Sequence, residues 1–380
     1  MAELRDMKAL VEPGRALTED EILRYSRHLL LPNIDLLGQQ RLLNAKVLCV
    51  GAGGLGSPTI MYLAAAGVGT IGVMDFDNVE LSNLQRQIIH AQSDLGKSKA
   101  LSASQKVHAQ NPETNIILHE LKLDETNALE IFKDYDLIID CTDNFATRYL
   151  INDAAALLSK PYIWGSIYQF DGQASIFWSL NGPCLRCLHP TPPPVGSVPS
   201  CAEGGVFGVL CGAIGSIQTI EALKLITGIG KPLLGEVLIY NALEQSYQKL
   251  PIQKSSKCPI CSGEQTSLLP NYEEFCSGLT SISPSQLQDK LASTENIYLV
   301  DVREPDEYAL ANIANAILLP VGKFDDGSAL TELPNDREII LYCRSGKRSA
   351  RALSVLRASG FSNSTHLAGG ILAWQESTHE

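Results

Sequence analysis

Residues 46–77 carry the sequence KVLCVGAGGLGSPTIMYLAAAGVGTIGVMDFD, which divides into a strand, a glycine-rich turn, a helix and a second strand. The two strand segments, KVLCV and TIGVM, are short apolar runs of the kind that is buried on both faces of a sheet. The same alternation continues in the helical SKALSASQKVHAQ and in the strand-like NIILHE and DLIID. The sequence therefore predicts an α/β fold, in which helices cover a mostly parallel sheet.

The length and composition of the chain limit its function. With 380 residues, of which 45% are hydrophobic, the chain can form two or three globular domains. A net charge of −12 argues against a nucleic-acid-binding protein, because no basic block is available to neutralise phosphates. The charged N-terminal segment lacks the apolar core of a signal peptide, and no later stretch looks apolar for long enough to span a bilayer. We therefore expect a cytoplasmic protein that binds neither nucleic acid nor membrane.

Two helix-start signals indicate where the first helix of each domain begins. Thr18 with Glu21, and Ser283 with Gln286, each form a capping box. The first opens the helical stretch EILRYSRHLLLP, which ends at a proline. The second follows a polar, breaker-rich stretch and precedes two strand-like runs, IYLVD and EIILYC. We expect a first domain at residues 1–262, a linker at 263–280 and a smaller α/β domain at 281–380.

The turn GAGGLG has the GxGxxG spacing of Rossmann-like nucleotide-binding folds. Its backbone amides and the dipole of the following helix can bind a phosphate, and a carboxylate at the end of the next strand can accept ribose hydroxyls. A nicotinamide- or flavin-dependent oxidoreductase would share these features, so the turn indicates a nucleotide without identifying it. The residues concerned are Gly51, Gly53, Gly54, Gly56, Asp75 and Asp77.

The segments after the second strand add charges that a hydride-transfer cofactor does not need. NVELSNLQRQIIH carries Asn83 and Arg86, and GKSK carries Lys99. If they return to the glycine turn, Arg86 and Lys99 can hold phosphates and stabilise a leaving pyrophosphate; otherwise they form a solvated basic surface. Asp140 and Asp143, in DLIIDCTDN, follow a strand, where either can bind magnesium or cap the next helix.

Two cysteine pairs stand far apart in the chain, Cys184 and Cys187 in PCLRC and Cys258 and Cys261 in CPIC. Two CxxC pairs in one intracellular chain have the spacing of a tetrahedral zinc site. Four thiolates leave no open position for water, so we expect structural zinc. The alternatives are reduced cysteines in ordinary loops or a redox pair.

The motifs GAGGLGSP, DFDNVELSNLQRQIIH, GKSKA, DCTDN and SCAEGGVFGVLCGAIGSIQ, with the two CxxC pairs, resemble the ThiF/MoeB family of ubiquitin-activating-type adenylyltransferases. The resemblance implies that MgATP adenylylates the C-terminal glycine of a ubiquitin-like sulfur-carrier protein that ends in Gly-Gly. It implies a homodimer, because Arg27 matches an arginine that reaches ATP across a dimer interface. The other residues that it assigns are Asp75 and Asp77 on the adenosine, Arg86 and Lys99 on phosphates with Asn83 nearby, and Asp143 on magnesium.

The sequence CRSGKRS begins at Cys343, directly after a strand and ahead of a helix. Loop amides, the helix N-terminus and nearby cations favour a thiolate there, so we expect a catalytic cysteine. Together with VDVREPDEY, ANAILLP and LAGGILAW, this loop resembles the rhodanese family. The resemblance implies a thiosulfate or persulfide sulfurtransferase that carries a persulfide on Cys343, with Asp301 and Arg303 in structural roles.

Two further segments are compared with the family sequences, and the first matches its family while the second departs from it. Cys201, in PSCAEGG, matches a cysteine of the ThiF/MoeB family that receives or relays the activated carboxyl group, and the alternative is a buried cysteine. Where rhodaneses usually have GHIPGA, residues 311–316 read ANIANA, so the sulfur donor cannot be inferred.

The order of the two resemblances implies adenylylation followed by sulfur transfer. A persulfide donor such as a cysteine desulfurase would supply the sulfur for a thiocarboxylate that serves molybdopterin synthesis, tRNA thiolation or thiamine synthesis. The expected cofactors are ATP, Mg²⁺ and structural Zn²⁺. Two alternatives stay open: a nicotinamide- or flavin-dependent oxidoreductase with a sulfurtransferase appendage, and a non-enzymatic scaffold for a ubiquitin-like partner.

Overall fold

The computed structural model describes residues 8–193, 204–293 and 296–378. Within them the chain forms two compact units. The first comprises residues 8–191 and 204–272, and the second comprises residues 192–193, 273–293 and 296–378. Cys201 lies outside the described residues.

The first unit is built on a single sheet. Its strands are β1 (Lys46–Val50), β2 (Thr70–Met74), β3 (Asn115–His119), β4 (Leu137–Asp140), β5 (Tyr162–Tyr168), β6 (Asp171–Phe177), β7 (Glu236–Asn241) and β8 (Ser246–Pro251). They lie in the order β3-β2-β1-β4-β5-β6-β7-β8, parallel from β3 to β5 and antiparallel from β5 to β8. β1, β2 and β4 are buried almost throughout, as their apolar sequences predict. The strand order reverses between β1 and β4, and ligands of such sheets bind beside this point, at the carboxyl ends of the strands.

Helices cover both faces of this sheet. They are α1 (Glu19–Arg24), α2 (Ser26–Leu29), α3 (Asp35–Asn44), α4 (Gly56–Ala66), α5 (Lys99–Gln110), α6 (Ala128–Phe132), α7 (Phe145–Leu157), α8 (Leu185–Leu188), α9 (Val209–Thr227) and α10 (Pro259–Ser262). α4 follows the glycine turn directly and ends at Gly67, which adopts the left-handed conformation with φ of +85°. α9 packs against α4 and β5. The predicted α/β class is therefore confirmed for this unit.

The structure corrects two expectations about helices. In the described part of the chain, α9 has the length and mean hydropathy of a membrane span, although more than half of it is buried inside the fold, with Leu210, Ile214 and Ile226 in the core. EILRYSRHLLLP, expected to form one helix, is divided between α1 and α2. The break falls at Tyr25, whose ring is buried and whose hydroxyl accepts a hydrogen bond from Asn111 Nδ2 at 3.0 Å.

The second unit has a smaller sheet in which all strand pairings are parallel. Its strands are β9 (Ser281–Ile282), β10 (Ile297–Asp301), β11 (Ile317–Leu318), β12 (Glu338–Tyr342) and β13 (Ser364–Leu367), in the order β11-β10-β12-β13-β9. Its helices are α11 (Tyr272–Ser277), which starts at the end of the first unit, α12 (Pro284–Ala292), α13 (Pro305–Leu310), α14 (Val321–Asp325), α15 (Lys347–Ala358) and α16 (Gly370–Thr378). The capping boxes at Thr18 and Ser283 are both confirmed.

Candidate functional site

The glycine turn between β1 and α4 is too tight for side chains. Gly51 has a φ of +101°, and a Cβ there would lie 2.9 Å from the carbonyl oxygen of Cys141. A Cβ on Gly56 would lie 2.1 Å from the carbonyl oxygen of Gly51, and a Cβ on Gly54 would lie 2.7 Å from Cys211 Sγ. Glycine is therefore required at these three positions, and the turn lies at the N-terminus of α4, where amides favour an anionic ligand.

The acidic end of β2 lies against the same turn. Asp75 Oδ2 accepts a hydrogen bond from the Ala52 amide at 2.8 Å, and Asp75 Oδ1 accepts one from the Asp77 amide at 2.9 Å. Burial raises the pKa of Asp75. The Lys99 Nζ, which is almost fully buried, donates to Asp77 Oδ2 at 3.0 Å. Lys99 thus returns to the edge of the sheet that holds the glycine turn.

Arg86 also lies at the glycine turn. Its Cδ is 3.7 Å from the position that a Cβ on Gly54 would take, and its Nη1 donates to the Ser82 carbonyl at 3.1 Å. Asn83, in the short 3₁₀ helix before it, is buried, and its Oδ1 accepts the Glu80 amide at 3.1 Å. Asn83 therefore shapes the segment, while Arg86 presents a cation beside the turn.

Two buried residues that were not predicted as site residues support the turn from behind. His90 Nε2 lies 3.0 Å from the Ala52 carbonyl oxygen, and its Nδ1 lies 2.9 Å from Ser102 Oγ. Burial lowers the pKa of His90, so the ring is neutral at pH 7. Gln87 Nε2 lies 3.5 Å from the Cβ position of Gly53. The only sequence signal for either residue is the motif NLQRQIIH itself.

The structure separates the roles of the two aspartates after β4. Asp140 is fully buried, and its carboxylate accepts hydrogen bonds from the Tyr162 hydroxyl at 2.7 Å and the Thr142 amide at 2.8 Å. Burial raises the pKa of Asp140. Asp143 is exposed. The N-cap of α7 is Asn144, whose side chain accepts an amide of the first turn, so neither aspartate caps this helix. Of these two aspartates, Asp143 is the one that a ligand can reach.

Arg148 of α7 braces the same edge, and it was not predicted from the sequence. Its Nη2 donates to the Thr142 carbonyl and its Nη1 to Ser166 Oγ, both at 3.0 Å. The guanidinium carbon lies 6.0 Å from the ring centroid of Trp164. Arg148 thereby joins the loop after β4 to β5.

Arg27 lies on α2 and is exposed, away from any ion pair in the described residues. It is surrounded in the chain by exposed apolar side chains: Leu23 is 77% exposed, Leu30 70% and Leu31 48%. Monomeric proteins seldom expose so many leucines on one short segment.

The four paired cysteines come together although 74 residues separate the pairs. The Sγ atoms lie within 4.8 Å of one another, with 3.4 Å between Cys184 and Cys258, 3.6 Å between Cys187 and Cys261, and 3.9 Å between Cys184 and Cys187. A tetrahedral ion with zinc–sulfur bonds of about 2.3 Å requires sulfur–sulfur distances of about 3.8 Å. The donor set and its spacing fit Zn²⁺.

Backbone amides and a buried ion pair hold these cysteines in place. The Ser255 amide donates to Cys187 Sγ at 3.3 Å, and the Cys261 amide donates to Cys258 Sγ at 3.5 Å. Arg186, between the first two cysteines, forms a two-pronged ion pair with Asp153 of α7 at 2.8 and 2.6 Å. The first cysteine pair is thus fixed to the sheet-covering helix independently of the metal.

Cys343 directly follows β12 and is almost fully buried. The Gly346 amide donates to its Sγ at 3.2 Å, and Gly346 has a φ of +94°. The carbonyl oxygens of Cys343 and Arg344 point the other way, because they accept the amides of Ile371 and Leu372 at 2.8 and 3.2 Å. The loop therefore turns the Gly346 amide toward the sulfur, at the N-terminus of α15.

The surroundings of this loop are fixed by ion pairs and tight packing. Arg303 pairs with the fully buried Asp301, at 2.6 Å for the closest contact, and donates to the Ala311 carbonyl at 2.5 Å. A Cβ on Gly370 would lie 2.4 Å from the carbonyl oxygen of Cys343. In the unusual turn ANIANA, Asn315 adopts φ of +65°, a conformation that asparagine tolerates in place of glycine.

Two family models match the chain. The model described as ThiF family matches residues 25–260, and the model described as Rhodanese-like domain matches residues 283–377. The first match covers more than half of the chain.

Several curated proteins are similar to this chain over most of its length. A protein of Mycobacterium tuberculosis named "Probable adenylyltransferase/sulfurtransferase MoeZ" is 51% identical over 379 residues, covering 96% of this chain and 95% of the relative. The "Adenylyltransferase and sulfurtransferase MOCS3" of Drosophila yakuba is 40% identical over 97% of this chain and 87% of its own. The "Sulfur carrier protein adenylyltransferase" of Thermus thermophilus is 51% identical, covering 68% of this chain and 98% of its own.

Solved structures support the fold. The crystal structure of E. coli MccB with ATP aligns with a TM-score of 0.57 at 22% identity, over 63% of this chain and 73% of MccB. At that identity the likeness concerns the fold alone. The family matches and the full-length relatives show that this chain belongs to the ThiF family and carries a C-terminal rhodanese-like domain.

Proposed function

We propose that this enzyme adenylylates the C-terminal glycine of a ubiquitin-like sulfur-carrier protein and then transfers sulfur to it from a persulfide on Cys343. The observation that carries the proposal is the presence, in one chain, of an anion-binding glycine turn flanked by Arg86 and Lys99 and of a sulfur-binding loop around Cys343. Relatives that are similar along the whole chain are named for both activities.

The adenylylation half consists of positioning and charge neutralisation. The carrier carboxylate attacks the α-phosphorus of ATP, the bond to the bridging oxygen breaks, and pyrophosphate leaves with the electron pair. The glycine-turn amides, Arg86 and Lys99 are placed to hold the phosphates and to stabilise the leaving pyrophosphate. Asp75 and Asp77 are proposed to contact the adenosine, so that Asp77 both positions Lys99 and borders the ribose.

Magnesium is proposed to bind at Asp143. This carboxylate is exposed at the carboxyl end of β4, and Mg²⁺ in nucleotide sites usually takes one or two carboxylates with phosphates and water. Bound there, the ion would neutralise phosphate charge. The fully buried Asp140 fits a supporting role for the same loop.

The carrier protein is proposed to dock on an exposed apolar patch at one end of the antiparallel strands. Phe170 and Phe207 are exposed, and their rings are tilted against each other with centroids 5.8 Å apart. Leu243 lies next to them, because the Ala242 amide donates to the Phe170 carbonyl. From this patch the chain reaches Gly208, which packs against Arg86. A partner seated on the patch could therefore extend a flexible Gly-Gly tail to the glycine turn.

The sulfur-transfer half begins when a donor leaves a persulfide on Cys343. The terminal sulfur attacks the acyl-adenylate carbonyl, AMP leaves, and an acyl disulfide joins carrier and enzyme. A second thiol then attacks the Cys343 sulfur of that disulfide, which releases the thiocarboxylate and forms an enzyme disulfide. Cys201 is our candidate for this thiol, and a persulfide donor such as a cysteine desulfurase is the proposed source of sulfur.

Composite ATP sites in a homodimer account for the exposed Arg27. An exposed arginine among exposed leucines fits a surface that a second copy covers, which would bring the guanidinium to the partner's nucleotide. The four thiols around the metal site fit a reducing compartment such as the cytoplasm.

Zn²⁺ is proposed as a structural ion on the four paired cysteines. We expect about one equivalent of zinc in the purified protein and its loss in Cys258→Ser, together with a lower Tm. Cys276→Ser is the matched control, since this cysteine stands outside the cluster. A metal-free wild type with an unchanged Tm would contradict the assignment.

In the decisive experiment the enzyme is incubated with ATP, a carrier that ends in Gly-Gly and a persulfide donor, and the mass of the carrier is then measured by mass spectrometry. We expect an adenylate without donor and a gain of one sulfur in place of one oxygen with it. ATP–pyrophosphate exchange without NAD binding separates this proposal from an oxidoreductase. An unmodified carrier with every candidate would overturn the proposal in favour of a scaffold.

A further inference from the structure

Arg348, at the second position of α15, is held by an ion pair from another helix. Its Nη1 and Nη2 donate to the Glu307 carboxylate of α13 at 2.6 and 2.7 Å. Both side chains are about one-quarter to one-third exposed, so the pair is partly shielded from water. Arg348 lowers the pKa of Glu307 to about 2, and Glu307 is therefore fully charged at neutral pH.

The pKa of the Arg348 guanidinium is raised mainly by its hydrogen bonds to Glu307 and further by the charge of Cys343. Arg348 stands two residues after Gly346, whose amide donates to Cys343 Sγ. It is thus one of the cations that an anionic sulfur donor meets on approaching the sulfur. Glu307 places a full negative charge directly on it. The carboxylate offsets the attraction that Arg348 would otherwise exert on an incoming anion.

Two classes of sulfur donor differ in charge. In thiosulfate the Cys343 thiolate attacks the outer sulfur, the sulfur–sulfur bond breaks, and sulfite leaves with the electron pair, so the donor arrives as a dianion. In an alkyl persulfide the thiolate attacks the terminal sulfur and an alkyl thiolate leaves, so the donor group arrives as a monoanion. Both routes leave the same persulfide on Cys343 and need no oxidant or reductant.

We propose that Glu307 is a specificity-determining residue, which selects monoanionic persulfide donors against dianionic donors by neutralising Arg348. The inference rests on the proposed function of Cys343 as the sulfur-carrying residue and deepens it by naming the class of donor. Glu307 acts on the donor through Arg348 and through its own charge, without contact with the sulfur.

The size of the effect follows from Coulomb's law. Because the Coulomb energy scales with the charge of the donor, an effect of about RT on a monoanion corresponds to an effect of about twice RT on a dianion. Removal of the Glu307 charge should therefore speed capture of a monoanion about threefold and of a dianion about sevenfold. The ratio of the two rate constants, which is independent of general changes in the loop, should rise about threefold.

The test measures persulfide formation on Cys343 by mass spectrometry in the full chain, with either thiosulfate or the persulfide of 2-mercaptoethanol as donor. Glu307→Gln keeps the size and hydrogen-bonding oxygen of the side chain and removes its charge. We expect the second-order rate constants to rise by the factors above, and the rise to shrink at high ionic strength, because salt screens the charge. Asp306→Asn removes an exposed charge from the same turn without touching Arg348 and should change the ratio less than twofold, or about the error of the assay.

An unchanged or lower thiosulfate-to-persulfide ratio in Glu307→Gln would overturn the inference. So would an equal change in Asp306→Asn, which would indicate a general field instead of this ion pair. A fall with both donors would assign Glu307 a purely orienting role. If neither donor modifies Cys343 in the unaltered enzyme, the proposed sulfur route fails instead, which distinguishes the two failures.

Discussion

The glycine turn between β1 and α4 and the cysteine loop between β12 and α15 have the same local plan. Each follows a buried parallel strand, contains a glycine with positive φ, at +101° in Gly51 and +94° in Gly346, and leads into a helix. Each therefore offers backbone amides to an anion. They differ in what fills the position that the amides surround.

The glycine turn leaves that position to a ligand, whereas the cysteine loop fills it with its own sulfur. In the first unit the cations come from other segments of the chain, Arg86 and Lys99, and Lys99 is held by Asp77. In the second unit the cation Arg348 belongs to the helix that follows the loop and is held by Glu307. Under the proposed function, similar anion-binding turns serve a diffusible substrate in one unit and a covalently carried atom in the other.

The largest effect is expected from a substitution that disables the cysteine loop and leaves the glycine turn intact. Cys343→Ala removes the only atom that can carry sulfur there, so sulfur transfer to the carrier should fall by at least about 10³-fold. ATP–pyrophosphate exchange should stay within about twofold of the wild type, because adenylylation needs no sulfur. The masses of the carrier products, with and without the sulfur donor, are measured by mass spectrometry.

Retained thiocarboxylate formation in Cys343→Ala would show that another residue carries the sulfur. Cys276→Ala is the matched control, a cysteine of the same unit outside this loop, and it should leave both activities unchanged.

The next largest effect is expected from a substitution that disables the glycine turn and leaves the cysteine loop intact. Lys99→Met should lower the rate of ATP–pyrophosphate exchange by about 10²- to 10³-fold, because it removes a buried cation from developing phosphate charge. Lys97→Met removes an exposed lysine that pairs with Asp94 and should change the rate little. Persulfide formation on Cys343 should be unaffected in both variants. Equal losses in both lysine variants would contradict the assigned role of Lys99.

Both loops could be predicted from the sequence. The cysteine loop and the glycine turn are local motifs, and the strand, turn and helix of each follow from residues close together in the chain. The capping boxes at Thr18 and Ser283 are confirmed for the same reason. The spacing of the CxxC pairs indicated a shared site, which the structure supports by bringing the four sulfurs together.

What could not be predicted depends on burial and on distant partners. Asp140 and Asp143 look equivalent in sequence, but Tyr162 on the neighbouring strand encloses the first and leaves the second exposed. His90 supports the glycine turn through contacts that no local pattern encodes. The ion pair between Glu307 and Arg348 joins residues that are 41 positions apart.

A smaller effect is expected when one methyl group is added to each turn by a glycine-to-alanine substitution. Gly56→Ala should impair adenylylation, because its Cβ would lie 2.1 Å from a backbone oxygen, and Gly370→Ala should impair persulfide formation on Cys343, because its Cβ would lie 2.4 Å from the Cys343 carbonyl. We expect the rate to fall about tenfold to 100-fold, each time in one activity only. A displacement of a catalytic group by about 1 Å lowers a rate by this much. Gly212→Ala and Gly322→Ala are the controls, because nothing lies within 4 Å of a Cβ there. A loss of both activities in either variant would indicate general unfolding instead.

The smallest effect concerns two glutamates that are each held by an arginine. Arg15 lowers the pKa of Glu21 in the first unit to about 2, and Arg348 does the same for Glu307 in the second. A carboxylate with a lowered folded-state pKa stabilises the fold above its unfolded value of 4.5, and this contribution is lost as the pH falls from 4.5 toward 2. Glu21→Gln and Glu307→Gln should therefore each lower the free energy of unfolding by about 1 kcal/mol or less at pH 6, with less difference at pH 3.5.

Urea titrations at the two pH values measure this change, and the two activities then separate the two ion pairs. Glu21 forms the capping box of α1 and lies in no proposed site, so Glu21→Gln should change stability alone. Glu307→Gln should change stability by a similar amount and also shift donor preference, because its partner Arg348 belongs to the first turn of the helix that follows the Cys343 loop. A pH-independent loss of stability would show that the side chains act through packing and not through charge. Equal effects of both variants on donor preference would remove the distinction between an ion pair that holds a helix and one that tunes a site.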